Sequence, residues 1–340
     1  MSTYIKEGKP LDYDNAPDWL VAYLQYQRSV LGCTEKTAIT YLIALRRFFQ
    51  WYSHYARTGR HPRSEQKLRA IDILPLPLEV ATAVTRADVE AYLYFCTDVL
   101  KNAPATRNKK LVAIRTFYDY LLDQKDVAGA ALQINPADRI HRAKTGKNEP
   151  VFLQRNEQRA FLEGISGENG VRDYAIFLLL LSAGLRVSEA VGLNKSDLNL
   201  EAMTIRVRGK GNKERICVIT EPCRDAIERY VMEYRALIPG LQTDALFVSS
   251  RRRERLTTRM VQKAMQKYLI EAKLGGNGYT PHKLRHTTAT TLVKDGADLL
   301  TVQKLLGHES SATTGIYAHL DDSDVSKALE QSSLAKLGEL

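Results

Sequence analysis

Cysteine is scarce in this chain of 340 residues. The four present, Cys33, Cys96, Cys217 and Cys223, never fall at a Cys-x-x-Cys spacing, so neither a zinc ribbon nor a dithiol redox pair is indicated. In a chain of this length they are expected to be reduced and structural, which suits the cytoplasm. Long hydrophobic runs are also missing. The most apolar stretch, AIFLLLLSAGL at 175–185, falls well short of the roughly 20 residues a membrane span needs and reads as a buried helix. The opening MSTYIKEGKPLDYDN has no apolar centre, so a secretory leader is not expected. There is no GxxxxGK[ST] phosphate loop and no ligand-spaced group of His, Cys, Asp or Glu. His54, His61 and His141 are isolated, and Asp321, Asp322 and Asp324 read as a solvated helix start. No metal, nucleotide or other cofactor is therefore expected, nor a membrane partner. Internal repeats and low-complexity segments are absent too.

The composition that remains, 44% hydrophobic and 26% charged, is that of an ordinary globular protein. A net charge of +10 points to a polyanionic partner, of which nucleic acid is the commonest. The length exceeds what one hydrophobic core usually serves and suits two domains.

The first half reads as helices. PDWLVAYLQYQRSV opens with Pro17 and Asp18 in its first turn. Thr34 can cap TEKTAITYLIALRRFFQWY, whose apolar residues Ala38, Tyr41, Leu42, Leu45, Phe48, Phe49 and Tyr52 recur in steps of three and four along one stripe. Thr85 followed by Asp88 announces another helix, and a fourth runs from about Thr106 with Leu111, Ile114, Phe117 and Leu121 on one side. Lys36, Arg46 and Arg47 on the second of these helices, and Arg107, Lys109, Lys110 and Arg115 on the fourth, are the candidate DNA contacts; the alternative is a helical bundle with solvated charges. The proline-marked stretch 56–84 is too long for an ordinary connection and is either a functional loop or an ordered insertion. NPADRIHRAKTGKNEP, around 135–150, is polar and basic and reads as an interdomain linker. The boundaries expected are a helical domain over 1–140, a linker over 141–150, and a second, mixed domain over 151–340 that ends in a C-terminal helix.

The second half is mixed. Helices are expected over 154–165, 171–183, 221–237, 257–273, 281–295 and 298–306, and MTIRVRGKGNKERICVIT alternates on either side of a Gly-rich basic turn, a hairpin signal. The fold class is thus mainly α with a small antiparallel β-sheet.

Phosphodiester transfer to a protein hydroxyl builds negative charge on two non-bridging oxygens. Fixed cations aimed at those oxygens stabilise that charge, and the planar fork of arginine suits them best. The nucleophile must lose a proton and the leaving alkoxide must gain one. The C-terminal half holds such a set: Arg186 in SAGLRVSEAVGL, Lys210 at the hairpin tip in RVRGKGNKER, His282 and Arg285 in PHKLRH, His308 in LLGHES, and Tyr317 in TTGIYAHL. Each alone has a bland explanation: an ion pair of Arg186 with Glu189, a solvated hairpin lysine, a capping histidine, one core tyrosine among seventeen. The Arg251–Arg253 run either contacts phosphates or stays in water.

In their order, GLRVSE, GKGNKER, PHKLRH and LLGH followed by a Tyr resemble the tyrosine recombinase (phage integrase) superfamily, and are most similar to its Xer-type members. The resemblance covers roughly 15–325 and includes the helical first half, which is similar to the family's core-binding (SAM-like) domain; together the two domains would make a C-shaped clamp. It implies that Arg186, Arg285 and His308 bind the scissile phosphate, that Lys210 protonates the leaving 5′-hydroxyl (Lys213 being the nearby rival), that His282 assists proton transfer, that Tyr317 forms a 3′-phosphotyrosyl bond, and that Glu189 supports the site. It further implies double-stranded DNA with inverted half-sites as substrate, a homotetramer on synapsed DNA with or without a second recombinase or accessory protein, and a Holliday junction. The setting would be cytoplasmic and nucleoid-associated, in chromosome dimer resolution or mobile-element movement. The helix after Tyr317 would dock on a neighbouring protomer through Val325, Ala328 and Leu329, the alternative being that it packs on its own domain. The competing readings are a type IB topoisomerase and a catalytically inactive DNA-binding protein.

Overall fold

The computed structural model describes residues 16–62, 64–124, 132–146, 151–209, 213–307 and 322–338. The chain divides into two compact units, Met1–Lys147 and Asn148–Leu340. Among the described residues no helix is long and apolar enough to cross a membrane.

The first unit is helical: α1 (Asp18–Ser29), α2 (Glu35–Thr58), α3 (Glu65–Arg69), α4 (Leu78–Thr82), α5 (Arg86–Tyr94), which runs on as a π-helical turn over Phe95–Val99, and α6 (Pro104–Asp123). The Thr34 hydroxyl accepts the Thr37 N–H, and Thr85 and Asp88 form a reciprocal capping box. Helix α2 is longer than its apolar stripe suggests, ending at Gly59, whose left-handed φ of 63° closes it. Trp51, off that stripe, is fully buried between Tyr92 and Phe95 on one hand and His61 of the 56–84 stretch, an ordered insertion, on the other. The insertion's Leu68, Ile73 and Ala81 are buried, and the Gln50 amide donates to the Ile71 carbonyl. The core is aromatic, with Trp19 edge-on to Phe49 at 4.9 Å and Tyr23 edge-on to Phe117 at 5.3 Å.

The polar stretch expected to be linker is docked over its first part. The Arg115 guanidinium donates to the carbonyls of Ala137 and Ile140, Asn135 bonds Asp119 and the Arg115 carbonyl, and Asn108 exchanges two bonds with Ala143. Ala137 and Ile140 are buried. A polar, basic composition concealed this because most of the anchoring bonds use main-chain groups, which the sequence does not distinguish.

The second unit contains α7 (Arg155–Glu163), α8 (Gly170–Ser182), α9 (Val187–Gly192), α10 (Glu221–Tyr230, extended by a π turn to Arg235), α11 (Thr258–Glu271), α12 (Pro281–Lys294), α13 (Leu299–Leu306) and α14 (Asp322–Gln331). Strands β1 (Leu198–Asn199), β2 (Thr204–Arg208) and β3 (Glu214–Val218) form an antiparallel sheet in that order, with Val207 opposite Arg215 and Arg208 opposite Glu214. A second, two-stranded ladder pairs β4 (Val248–Ser249) with β5 (Glu254–Arg255). The exposed Arg251–Arg253 run is the turn between them. Helix α8 is the axis of the unit, with every residue from Ala175 to Leu181 fully buried. Helix α14 departs from expectation. Val325 and Leu329, one turn apart, are buried with Leu334 and Leu337 in the core of their own unit rather than left for a neighbour. An apolar stripe on a single chain takes the nearest apolar groove.

Candidate active site

Three guanidinium groups and one carboxylate meet where α8, α9, α12, α13 and the β2–β3 hairpin converge. After α8 the chain must turn sharply, and Gly184 does so with φ +59°; a Cβ there would lie 2.5 Å from Leu306 Cδ2. The position thus excludes a side chain both by backbone conformation and by space. Arg186 follows as the N-cap of α9. Its own N–H and its Nη1 both donate to the Glu189 carboxylate, each at 2.8 Å. The bland reading of Arg186 as an ion-pair partner is therefore correct in part, but the side chain stays 42% exposed, with Nε and Nη2 left over for a ligand.

Arg285, on α12, is 4% exposed. Its Nη1 donates to the Gly184 carbonyl at 2.8 Å and its Nη2 to the Leu306 carbonyl. One guanidinium thus ties the turn before Arg186 to the end of α13, just ahead of Gly307 and His308. Thr288, one turn further along α12, donates its hydroxyl to the Leu181 carbonyl at 2.7 Å, fixing α12 against α8. His282 lies at the exposed start of α12. His286, on the same helix, turns its ring edge to Phe152 instead, and burial together with Lys283 and His282 pushes its pKa down.

The sequence reading did not single out Arg215. Its two Nη atoms grip both oxygens of Glu189 at 3.0 and 2.9 Å, a bidentate pair with a carboxylate whose side chain is only 4% exposed. A signal was available: on β3 Arg215 shares the inward face with buried Cys217, while Ile216 points out at 53% exposure. A charged residue at an inward strand position calls for a partner.

Burial by itself would raise the Glu189 pKa, but hydrogen bonds from Arg215 and Arg186 outweigh it and hold the group below the ordinary carboxylate range. Arg285 shows the converse. Burial first, and then the neighbouring charges of Arg186 and Arg215, outweigh the opposing effects of Glu189 and Cys217 and bring it down to about 10. A buried arginine with a lowered pKa marks a pocket with too little negative charge. The arrangement is a preformed anion receptor, and the forked donors suit phosphate.

Of the expected catalytic set, the structure brings Arg186, Arg285 and the supporting Glu189 together and puts His282 on the helix of Arg285. Lys210, His308 and Tyr317 lie outside the described residues. Their neighbours do reach the cluster. A Cβ on Gly209 would stand 3.6 Å from Arg215 Nη1, and one on Gly307, a left-handed helix cap, 2.8 Å from Arg215 Cδ and Nε. Among the described residues no group of His, Cys, Asp and Glu could hold a metal ion.

The candidate DNA contacts of the first unit separate into two sorts. Lys36 and Lys109 are exposed. Arg115 has its donors on Ala137 and Ile140, Lys110 donates to Asn102 at 2.7 Å, and Arg47 donates to Gln50 at 2.7 Å and faces Glu65. Arg107 reaches the His141 carbonyl at 3.5 Å, and Arg46 is half-buried with its own interactions. These five are engaged with their own chain.

A family model described as the phage integrase family matches residues 151–324. The tyrosine recombinase XerC of Caldanaerobacter subterraneus subsp. tengcongensis is 35% identical over 321 residues, which is 94% of this chain and 88% of that protein. The tyrosine recombinase XerD of Lacticaseibacillus casei is 36% identical over 69% of this chain and 78% of its own. Among solved structures, XerH bound to its palindromic difH substrate in a post-cleavage complex aligns with a TM-score of 0.63 at 24% identity, over 92% of this chain and 83% of that one. A lambda integrase (75–356) dimer bound to a core site aligns with a TM-score of 0.62 at 18% identity, over 89% and 97%. These likenesses show the same mainly helical fold with small antiparallel sheets.

Proposed function

The chain belongs to the phage integrase family and is a tyrosine recombinase, a DNA strand-exchange enzyme; from that premise we propose how its own residues perform the exchange. The scissile phosphate sits against Arg186 and Arg285, with His308 as third donor. Tyr317 Oη attacks phosphorus, His282 assists removal of its proton, and a covalent 3′-phosphotyrosyl bond forms as the bond to the 5′ oxygen breaks. Lys210 gives that oxygen its proton. In the reverse direction a 5′-hydroxyl attacks the phosphotyrosine, releases Tyr317 and reseals the strand. The broken phosphodiester is conserved as a phosphotyrosine, so resealing requires no energy from outside. The observation that carries this reading is Arg285, buried beside two further guanidinium groups and one carboxylate and lowered to about 10. Such a pocket favours an anion whose charge increases in the transition state.

Double-stranded DNA is the partner. The finer proposal is a homotetramer on two sites with inverted half-sites, exchanging strands in pairs through a Holliday junction, in the manner of Xer recombinases. Similarity to XerC along 94% of the chain supports that role, and a palindromic site is what the XerH neighbour is bound to. In this assembly the second unit, from about residue 151, performs the chemistry and the helical unit holds the duplex. Lys36 and Lys109 reach its phosphates. Tyr317→Phe tests the nucleophile. On a nicked suicide substrate the variant should bind DNA as the wild type does and form no covalent adduct, whereas a retained adduct places the nucleophile elsewhere.

A further inference from the structure

We propose that Arg215 is a positioning residue for strand cleavage, acting through Glu189 to keep Arg186 available to the phosphate and through Gly307 to set the approach to His308. This rests on the reading of the pocket as the scissile-phosphate site.

Among the described residues, Glu189 is the only carboxylate in contact with the three arginines. On its own it would be a competitor, because a buried anion next to Arg186 draws that guanidinium away from any phosphate. Arg215 prevents this. It occupies both carboxylate oxygens at once, so Glu189 has little charge left to attract Arg186 and serves as an orienting acceptor for one Nη and for the Arg186 N–H. The pocket keeps an excess of two positive charges, matching the doubly charged phosphorane-like transition state. Without Arg215 the excess falls to one and the carboxylate turns on Arg186.

The second contact is steric. The Arg215 stem lies where a Cβ of Gly307 would be, with Cδ and Nε 2.8 Å from that position. Gly307 is left-handed at φ +63°, and the residue after it is His308. Gly209, the residue before Lys210, also lies near this guanidinium, its Cβ position 3.6 Å from Nη1. One side chain thus borders the chain segments that lead to Arg186, Lys210 and His308. Lysine cannot replace it, because a point charge holds one carboxylate oxygen rather than two and lacks the planar fork.

The test is a double-mutant cycle read as the single-turnover rate of covalent adduct formation with saturating suicide substrate. Arg215→Met should slow adduct formation by about 100-fold, the order seen when one preorganised donor is removed, with half-site binding close to wild type and a lowered thermal midpoint, since the buried carboxylate loses its bidentate partner. Adding Glu189→Gln to Arg215→Met removes the uncompensated carboxylate and should recover at least about tenfold of that loss, since contacting charges couple non-additively. A purely structural role predicts the opposite, a double variant slower than either single one. Arg215→Lys keeps a cation in the strand and serves if the methionine variant does not fold. It should also be slow, by about tenfold, and also improve with Glu189→Gln. Additive losses in both backgrounds overturn the proposal. Tyr317→Phe in the same assay separates the two readings. If it still forms adduct, the site itself is misread; if it does not and the cycle is additive, only the role of Arg215 falls.

Discussion

Glu189 accepts four charge-assisted hydrogen bonds inside the second unit, two from Arg186 and two from Arg215. Its pKa is depressed in the folded chain. A carboxyl group depressed on folding contributes stability that is complete above its unfolded value, near 4.5, and that disappears as the pH falls through the lower folded value. Urea unfolding at pH 7, 5 and 3.5 should therefore show the wild type losing its advantage over Glu189→Gln in the most acid sample, with little change between pH 7 and 5. An advantage that held at pH 3.5 would mean that packing, not charge, makes Glu189 important. At this scale Arg186, Glu189 and Arg285 could be read from the sequence because each stands beside a helix boundary in a recognisable string. Arg215 was harder to read, since its inward position depends on the strand alternation that sets it on the face of Cys217, away from exposed Glu214 and Ile216.

Among the elements, the β2–β3 hairpin and the helices after it were legible from alternation, from periodicity and from Pro281 at the start of α12. Less legible were the elements whose burial depends on a distant partner. Trp51 is buried with help from His61 of the 56–84 insertion and from Tyr92 and Phe95, and the stretch from 135 to 143 is held because α6 presents Asn108, Arg115 and Asp119. Helices α2 and α6 thus have basic residues of two kinds, exposed and engaged, and salt should separate them. Replacing Lys36 and Lys109 together with alanine should lower the slope of log affinity against log salt by about two, roughly 0.9 per phosphate contact, without changing the thermal midpoint. Arg115→Ala should leave the slope unchanged and cost about 1–3 kcal/mol of stability, the penalty for carbonyls that lose a buried donor. A reduced slope with unaltered stability would return Arg115 to the DNA surface.

Across the whole molecule, only folding assembles the anion receptor: Arg285 and the Gly184 carbonyl it binds are 101 residues apart in the chain. A ligand that binds the folded state alone raises stability by mass action. Orthovanadate or sulfate, at constant ionic strength and without DNA, should raise the thermal midpoint of the wild type, by about 2.7 kcal/mol of stability at a hundred times the dissociation constant. Arg285→Lys should abolish the shift. An equal shift in both proteins would assign the anions to the general surface. The positive charge outside the receptor is unevenly spread. Residues 1–147 carry 22 Lys and Arg against 15 Asp and Glu, and the remainder 27 against 24. On the proposed function, the long-range attraction for DNA would belong mainly to the helical unit, and the specific grip on one phosphate to the other.

That grip depends on Arg285, and both of its anchors, at Gly184 and Leu306, are main-chain oxygens. No side-chain change at either position can delete the acceptor, so the site tolerates sequence drift where a side-chain pair would be lost with one codon. What it does not tolerate is a change in the path of the chain. Vulnerability is transferred from the residues that make the bonds to the glycine that lets the two segments approach, and a methyl group at position 184 would do more damage than most changes of charge around it.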